Sequence, residues 1–205
     1  MMGSNLDDGR FDVVVRFDAQ GQPLTAAEYP PVVAAIFGAE ADNVLARYPL
    51  SNYAQPALAL SAAETDRFYA CPALKVEGML APTVPVFTYE FADESAPLYI
   101  SIRNIPSSFP LGAYHGAENQ YLFLFYGQPA LFTPAQLELS DEMIRYWSRF
   151  IATGDPNVPW LPAMPRVKNA SGAVLSLKPG GNLVSTTFRA AHQCDFWNTQ
   201  PDPLG

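Results

Sequence analysis

Proline is the residue that most constrains this chain. Twenty of its 205 residues are Pro, spread from Pro23 to Pro203 rather than massed in one linker, which is about twice the usual share of roughly 5%. A residue that fixes its own φ and donates no backbone hydrogen bond breaks helix interiors and central strands. The spacing therefore predicts many short elements joined by rigid turns. No internal repeat, low-complexity tract or block of like charge divides the chain, so residues 1–205 are expected to form one structural unit with no separate second domain.

Composition narrows the class. With 49% hydrophobic and 16% charged residues and a mean hydropathy of +0.01, the chain has the balance of a globular protein that buries a sizeable core. Twelve Lys and Arg face twenty Asp and Glu, a formal charge of -8 and a sequence pI near 4.6, so phosphate backbones and anionic membranes would be repelled and nucleic acid is not an expected partner. No apolar run approaches the roughly 18 to 20 residues of a membrane span. The N-terminal MMGSNLDDGR has neither a basic n-region nor an apolar h-region, so no signal peptide is read in this chain.

Several elements are legible. A helix is predicted over about Thr133 to Thr153, with Thr133 as N-cap, Pro134 in the first turn, Gln136 completing a capping box, and Gly154 then Asp155-Pro156 as the stop. Its apolar face is read as Leu137, Ile144, Trp147 and Ile151, with Met143 and Phe150 beside them. VPVFTYEF, Val84 to Phe91, is β-branched and aromatic with no polar alternation until Glu90, which suits a strand buried on both faces of an α/β sheet. Helical patterns precede it at Ala26 to Gly38, Ala39 to Arg47 and Ala62 to Met79, the last kinked or split at Pro72. A hairpin is expected from Ala173–Leu177 and Leu183–Phe188 across Pro179-Gly180-Gly181, and a short helix through Cys194 and Trp197 closes the chain. The fold class is α/β, a partial sheet with packed helices.

The residues offer few chemical signatures. Glycine-rich phosphate loops, HExxH, paired-carboxylate patterns and a GxSxG elbow are all absent from the sequence. His115 lies between Gly112 and Gly116 in FPLGAYHGAENQYLF, a loop able to present an imidazole, although most histidines so placed are simply hydrogen-bonded loop residues. Asp7-Asp8-Gly9 reads first as an ordinary turn. Cys71 and Cys194 are too few for a zinc site, and His115 and His192 stand at the wrong spacing to join them. On the residues alone the two thiols are either free and buried or bridged.

Taken in order, these segments resemble one family. GSNLDDGRF is similar to the acid loop of type B carboxylesterases, the group that includes the cholinesterases, in which a D-E-G tripeptide follows a core strand. LGAYHGAE resembles its catalytic-histidine loop, LSDEMIRYWSRFIATGDPN its long helix and TGDPN stop, VPWLPAMP the segment after it, ACPAL a bridging-cysteine segment, and HQCDFWN the C-terminal helix with the partner cysteine. The resemblance implies the C-terminal portion of an α/β-hydrolase fold and a small-molecule carboxylic ester as substrate, with no cofactor and no metal.

Site roles follow from the same resemblance. His115 is expected to be the general base and then general acid of a Ser-His-Asp/Glu triad, and Asp8 the acid that orients it. Asp8 stands where the family has glutamate, one methylene longer, so the loop must sit closer to the ring. Asp7 is the fallback, and Glu118 is read as an exposed charge at a helix N-terminus. Cys71 and Cys194 are implied to form a disulfide, placing the parent protein in an oxidising compartment, secreted or periplasmic. Phe109 and Tyr114 are expected to pack rather than line a pocket, and the sequon Asn169-Ala170-Ser171 is given no role. The nucleophile and the oxyanion loop lie in the family's N-terminal half, so the chain is expected to be a C-terminal part that is inactive alone. The alternative reading is a non-catalytic binding module, as in the adhesion members of the superfamily.

Overall fold

The computed structural model describes residues 1–124, 127, 129–168 and 172–201, so the Asn169 sequon lies outside the described residues. In chain order the elements are β1 (Met2–Asn5), α1 (Gly9–Arg16), α2 (Tyr29–Phe37), α3 (Ala41–Arg47), α4 (Pro56–Thr65), a π-helical turn (Asp66–Ala70), α5 (Cys71–Leu80), β2 (Thr88–Phe91), α6 (Asn119–Leu122), α7 (Pro134–Thr153), β3 (Val174–Leu177), β4 (Leu183–Ser185), α8 (Phe188–Ala191) and α9 (Cys194–Trp197). Proline opens helices here instead of breaking them: α2, α4, α5 and α7 each carry it in the first turn, where the missing N–H would have no intrahelical partner anyway.

The strands form one sheet in the order β1-β2-β3-β4, with β1, β2 and β3 parallel and β4 antiparallel to β3. Residues of β3 divide between two apolar clusters, Val174 into one and Leu175 and Leu177 into the other. Alternate side chains of a strand point to opposite faces, so the sheet is buried on both sides. The first cluster joins α1 to α5 with Phe188, Cys194 and Trp197. The second is built from Phe91, Tyr114, Tyr121 and the α7 residues Leu139, Met143 and Tyr146. The result is an α/β arrangement with a partial four-stranded sheet and packed helices.

Several boundaries differ from the sequence reading. The buried strand is shorter than Val84 to Phe91: Val84 is exposed, and Phe87 makes only an isolated antiparallel bridge to Arg166. The long helical pattern is split before Pro72, by the π-helical turn. On α7 the capping box between Thr133 and Gln136 is present, yet Leu137, Ile144 and Ile151 face outward. The packed face runs through Gln136, Leu139, Met143 and Tyr146, with Trp147 and Phe150 partly buried beside it against the strand residues Phe91, Leu175 and Leu177, and the Tyr146 hydroxyl donates to Pro162 O at 2.6 Å. Helix α1 has no counterpart in the sequence reading. Among the described residues no helix is long and apolar enough to cross a membrane.

Candidate active site

The acid loop and the histidine loop follow the C-terminal ends of neighbouring parallel strands, β1 and β2, the end at which open α/β sheets place their ligands. Backbone and side-chain bonds sew the two loops together. Asp7 N donates to Ala113 O at 3.2 Å, Ala113 N donates back to Asp7 Oδ2 at 3.0 Å, and Asn5 Nδ2 donates to Tyr114 O at 2.8 Å. Gly112, at φ +61°, lies so close to Asp7 that a Cβ would sit 2.1 Å from its Oδ2, so both the left-handed turn and the close approach require glycine.

Ala113 and Tyr114 are buried anchors, and the next residue is the exposed one. His115 Nδ1 lies 2.9 Å from Asp8 Oδ1, with the imidazole 55% exposed and the carboxylate 5%. The other carboxylate oxygen of Asp8 accepts from Asn5 N at 2.8 Å, which fixes its orientation. A carboxylate only accepts, so this bond assigns the hydrogen to Nδ1 and leaves Nε2 of the neutral ring with a lone pair. No hydrogen bond reaches Nε2 among the described residues. The bond to Asp8 raises the proton affinity of His115 above its ordinary value, against the effect of burial, and the charges of Asp8, Glu118 and Asp12 act in the same direction. His115 and Asp8 line a pocket of about 330 Å³ together with Met2, Gly3, Tyr69 and Val76.

The remaining candidates sort by contact. Asp7 is occupied by Arg10 at 2.7 Å and by Ala113, so it braces the loop and does not touch the imidazole. Glu118 is not the exposed charge expected at a helix start: it is partly buried and its Oε2 accepts from Asn5 Nδ2 at 2.6 Å, and burial raises its proton affinity. Phe109 and Tyr114 are packed in the two cores. Cys71 and Cys194 form a disulfide across a sequence separation of 123 residues. Asn5 and Tyr69 also belong to this neighbourhood, without a signal in the sequence. Nothing in a strand-end Asn, or in a Tyr inside a helical run, marks either as a neighbour of His115 before the chain folds.

A second histidine cluster lies away from this pocket. His192 is buried, with Nδ1 2.6 Å from Asp66 Oδ1 and Nε2 2.8 Å from Glu90 Oε1. Asp66 also accepts from the Tyr48 hydroxyl at 2.7 Å, which in turn accepts from Trp197 Nε1 at 2.8 Å. Among the described residues, no group of three or more His, Cys, Asp or Glu is arranged to hold a metal ion.

The model of the carboxylesterase family matches residues 33–197, most of the chain. The chain belongs to the carboxylesterase family. The matched carboxylesterase residues include His115 and both cysteines and begin after Asp8. Among curated relatives, the cocaine esterase of Homo sapiens is 31% identical over 135 residues, 64% of this chain and 22% of that protein. A pyrethroid hydrolase of Rattus norvegicus is 34% identical over 102 residues, 49% of this chain and 17% of that protein, and an acylcarnitine hydrolase of the same species is 33% identical over the same length and shares. The chain thus spans about a fifth of the length of the carboxylesterases it matches.

Proposed function

We propose that this chain supplies the acid and the histidine of a serine carboxylesterase. The observation that carries the reading is the Asp8–His115 bond, with Nε2 left open beside a pocket. In this reading Nε2 takes the proton of a serine hydroxyl as that oxygen attacks the ester carbonyl. Asp8 holds the tautomer and stabilises the imidazolium, which then protonates the leaving alkoxide. Water repeats the sequence on the acyl-enzyme. The substrate is a carboxylic ester, consistent with family membership and with the name of the human relative. Aspartate serves in place of the family's glutamate because the sewn loops bring Asp8 within hydrogen-bonding reach of the ring.

The nucleophile and the oxyanion donors come, in this proposal, from polypeptide outside these residues, since no GxSxG or glycine-rich oxyanion segment occurs here. Loss of one oxyanion donor alone costs about 100- to 1000-fold in rate. The chain by itself is therefore expected neither to hydrolyse p-nitrophenyl butyrate nor to be labelled by a serine-reactive phosphonate. Joined to the N-terminal part of a carboxylesterase, it should restore turnover that His115→Ala abolishes. Turnover by the chain alone, with a labelled serine inside it, would place the nucleophile here and overturn that part of the proposal. Restored turnover indifferent to His115→Ala would overturn the assignment of the base. The Cys71–Cys194 bridge supports an oxidising compartment for the parent protein, secreted or periplasmic.

A further inference from the structure

The imidazole of His115 is held through one nitrogen, yet a single hydrogen bond leaves a half-exposed ring free to rock about its own axis. A second contact limits that motion. The ring of Tyr69 lies against the imidazole, centroid to centroid 5.1 Å and tilted by 45°. The Tyr69 hydroxyl donates to Asp12 Oδ2 at 2.6 Å, so the ring is itself pinned at its far end, on helix α1. Its backbone is equally fixed. Tyr69 sits in the π-helical turn Asp66–Ala70, a local distortion frequent at functional sites. Asp66 ties that turn to Tyr48 and His192, Arg67 ties it to Glu40 at 3.2 Å and to Pro201 O at 2.6 Å, and the disulfide begins at the next residue, Cys71.

We propose that Tyr69, anchored by Asp12, is a positioning residue for His115: its pinned ring confines the imidazole to the orientation in which Nδ1 meets Asp8 and Nε2 is presented to the pocket. The role deepens the esterase reading and rests on it for its catalytic meaning, while the contact between the rings stands on geometry alone. The carboxylates facing His115 are Asp8, Glu118 and Asp12. Asp12 thus acts twice, as the tether of Tyr69 and as a nearby negative charge. Burial and the bond to Asp12 raise the Tyr69 phenol well above its ordinary range, so it remains a neutral donor. An aromatic face beside a cation is worth about 0.5 to 1 kcal/mol at an exposed site, and the imidazolium is the form that such a face favours.

The test is the titration of His115 followed by NMR in the 205-residue chain, its signals distinguished from those of His192 by their loss in His115→Gln. Tyr69→Leu is expected to lower the His115 midpoint by about half a pH unit and to speed exchange of its Nδ1 proton severalfold. Asp12→Asn should shift both readings the same way, and Tyr69→Phe, which keeps the ring but loses the tether, should fall between the parent and Tyr69→Leu. A midpoint and an exchange rate unchanged in folded Tyr69→Leu would overturn the proposal. Should Tyr69→Leu fail to fold, unchanged exchange in both Tyr69→Phe and Asp12→Asn overturns it equally. The esterase reading is tested separately, by His115→Gln in the joined enzyme: turnover surviving that change would remove the catalytic role of His115 without touching the effect of Tyr69 on the ring.

Discussion

The two histidines stand in opposite circumstances, and the difference lies in how many carboxylates are hydrogen-bonded to each ring. His115 has one, and keeps a nitrogen open to solvent. His192 has one at each nitrogen and is buried, so neither nitrogen is left to accept a proton from a substrate, and the cluster is structural. Burial opposes the charge on His192, but the hydrogen bonds and charges of Asp66 and Glu90 outweigh it and push the imidazole up to about 9. A folded value above the unfolded 6.5 means that this stabilisation is complete below about pH 6.5 and is lost as the pH rises through about 9. Urea unfolding between pH 6 and 10 should show that loss, of order 3 kcal/mol by the shift alone, and His192→Gln should be strongly destabilised at pH 6 because it leaves two buried carboxylates without their cation. A pH-independent midpoint over that range would contradict the assignment. In the sequence, His115 was conspicuous because glycines flank it, whereas His192 was not: its partners come from positions 66 and 90, and only the fold brings them to the ring.

Among the elements, α7 separates what local chemistry encodes from what packing decides. Its start and stop were legible because Thr133, Gln136 and Gly154 act on backbone groups within a turn of themselves. Its buried face was not, since apolar residues ring much of the helix and the choice between the stripe of Leu137 and that of Leu139 is made by the sheet beneath. Thr133→Ala should cost about 1 kcal/mol, seen as a Tm lower by roughly 2 to 4 °C; an unchanged Tm would mean that the cap is not formed in solution. Strand β2 was visible as an apolar run and proved shorter. Strand β1 is implied by the resemblance, since the acid loop follows a core strand in that family, but neither it nor helix α1 has a pattern of its own: their residues are mixed in polarity and take their places by pairing with β2 and packing on α4. The hairpin of β3 and β4 was readable from Pro179-Gly180-Gly181, turn chemistry being local.

At the scale of the whole molecule, the ordered set of segments exposed the carboxylesterase relationship where no single motif was specific. The structure adds that Asp8 and His115 are brought together by bonds between two loops of these residues. The disulfide encloses a loop of about 120 residues, worth roughly 4 to 5 kcal/mol in the chain-entropy model. Reduction should lower the unfolding free energy by an amount of that order, measured by denaturant titration with and without a thiol; equal curves would mean that the bridge constrains nothing. Its placement has one more consequence. Asp8 precedes Cys71, His115 lies within the ring, and an exposed stretch, residues 82–85, lies between the two. A protease cutting there would put the carboxylate and the imidazole on different polypeptides joined covalently only through sulfur. Such a nicked molecule would run as one species until a reductant reached it, and from then on only noncovalent packing would keep Asp8 beside His115.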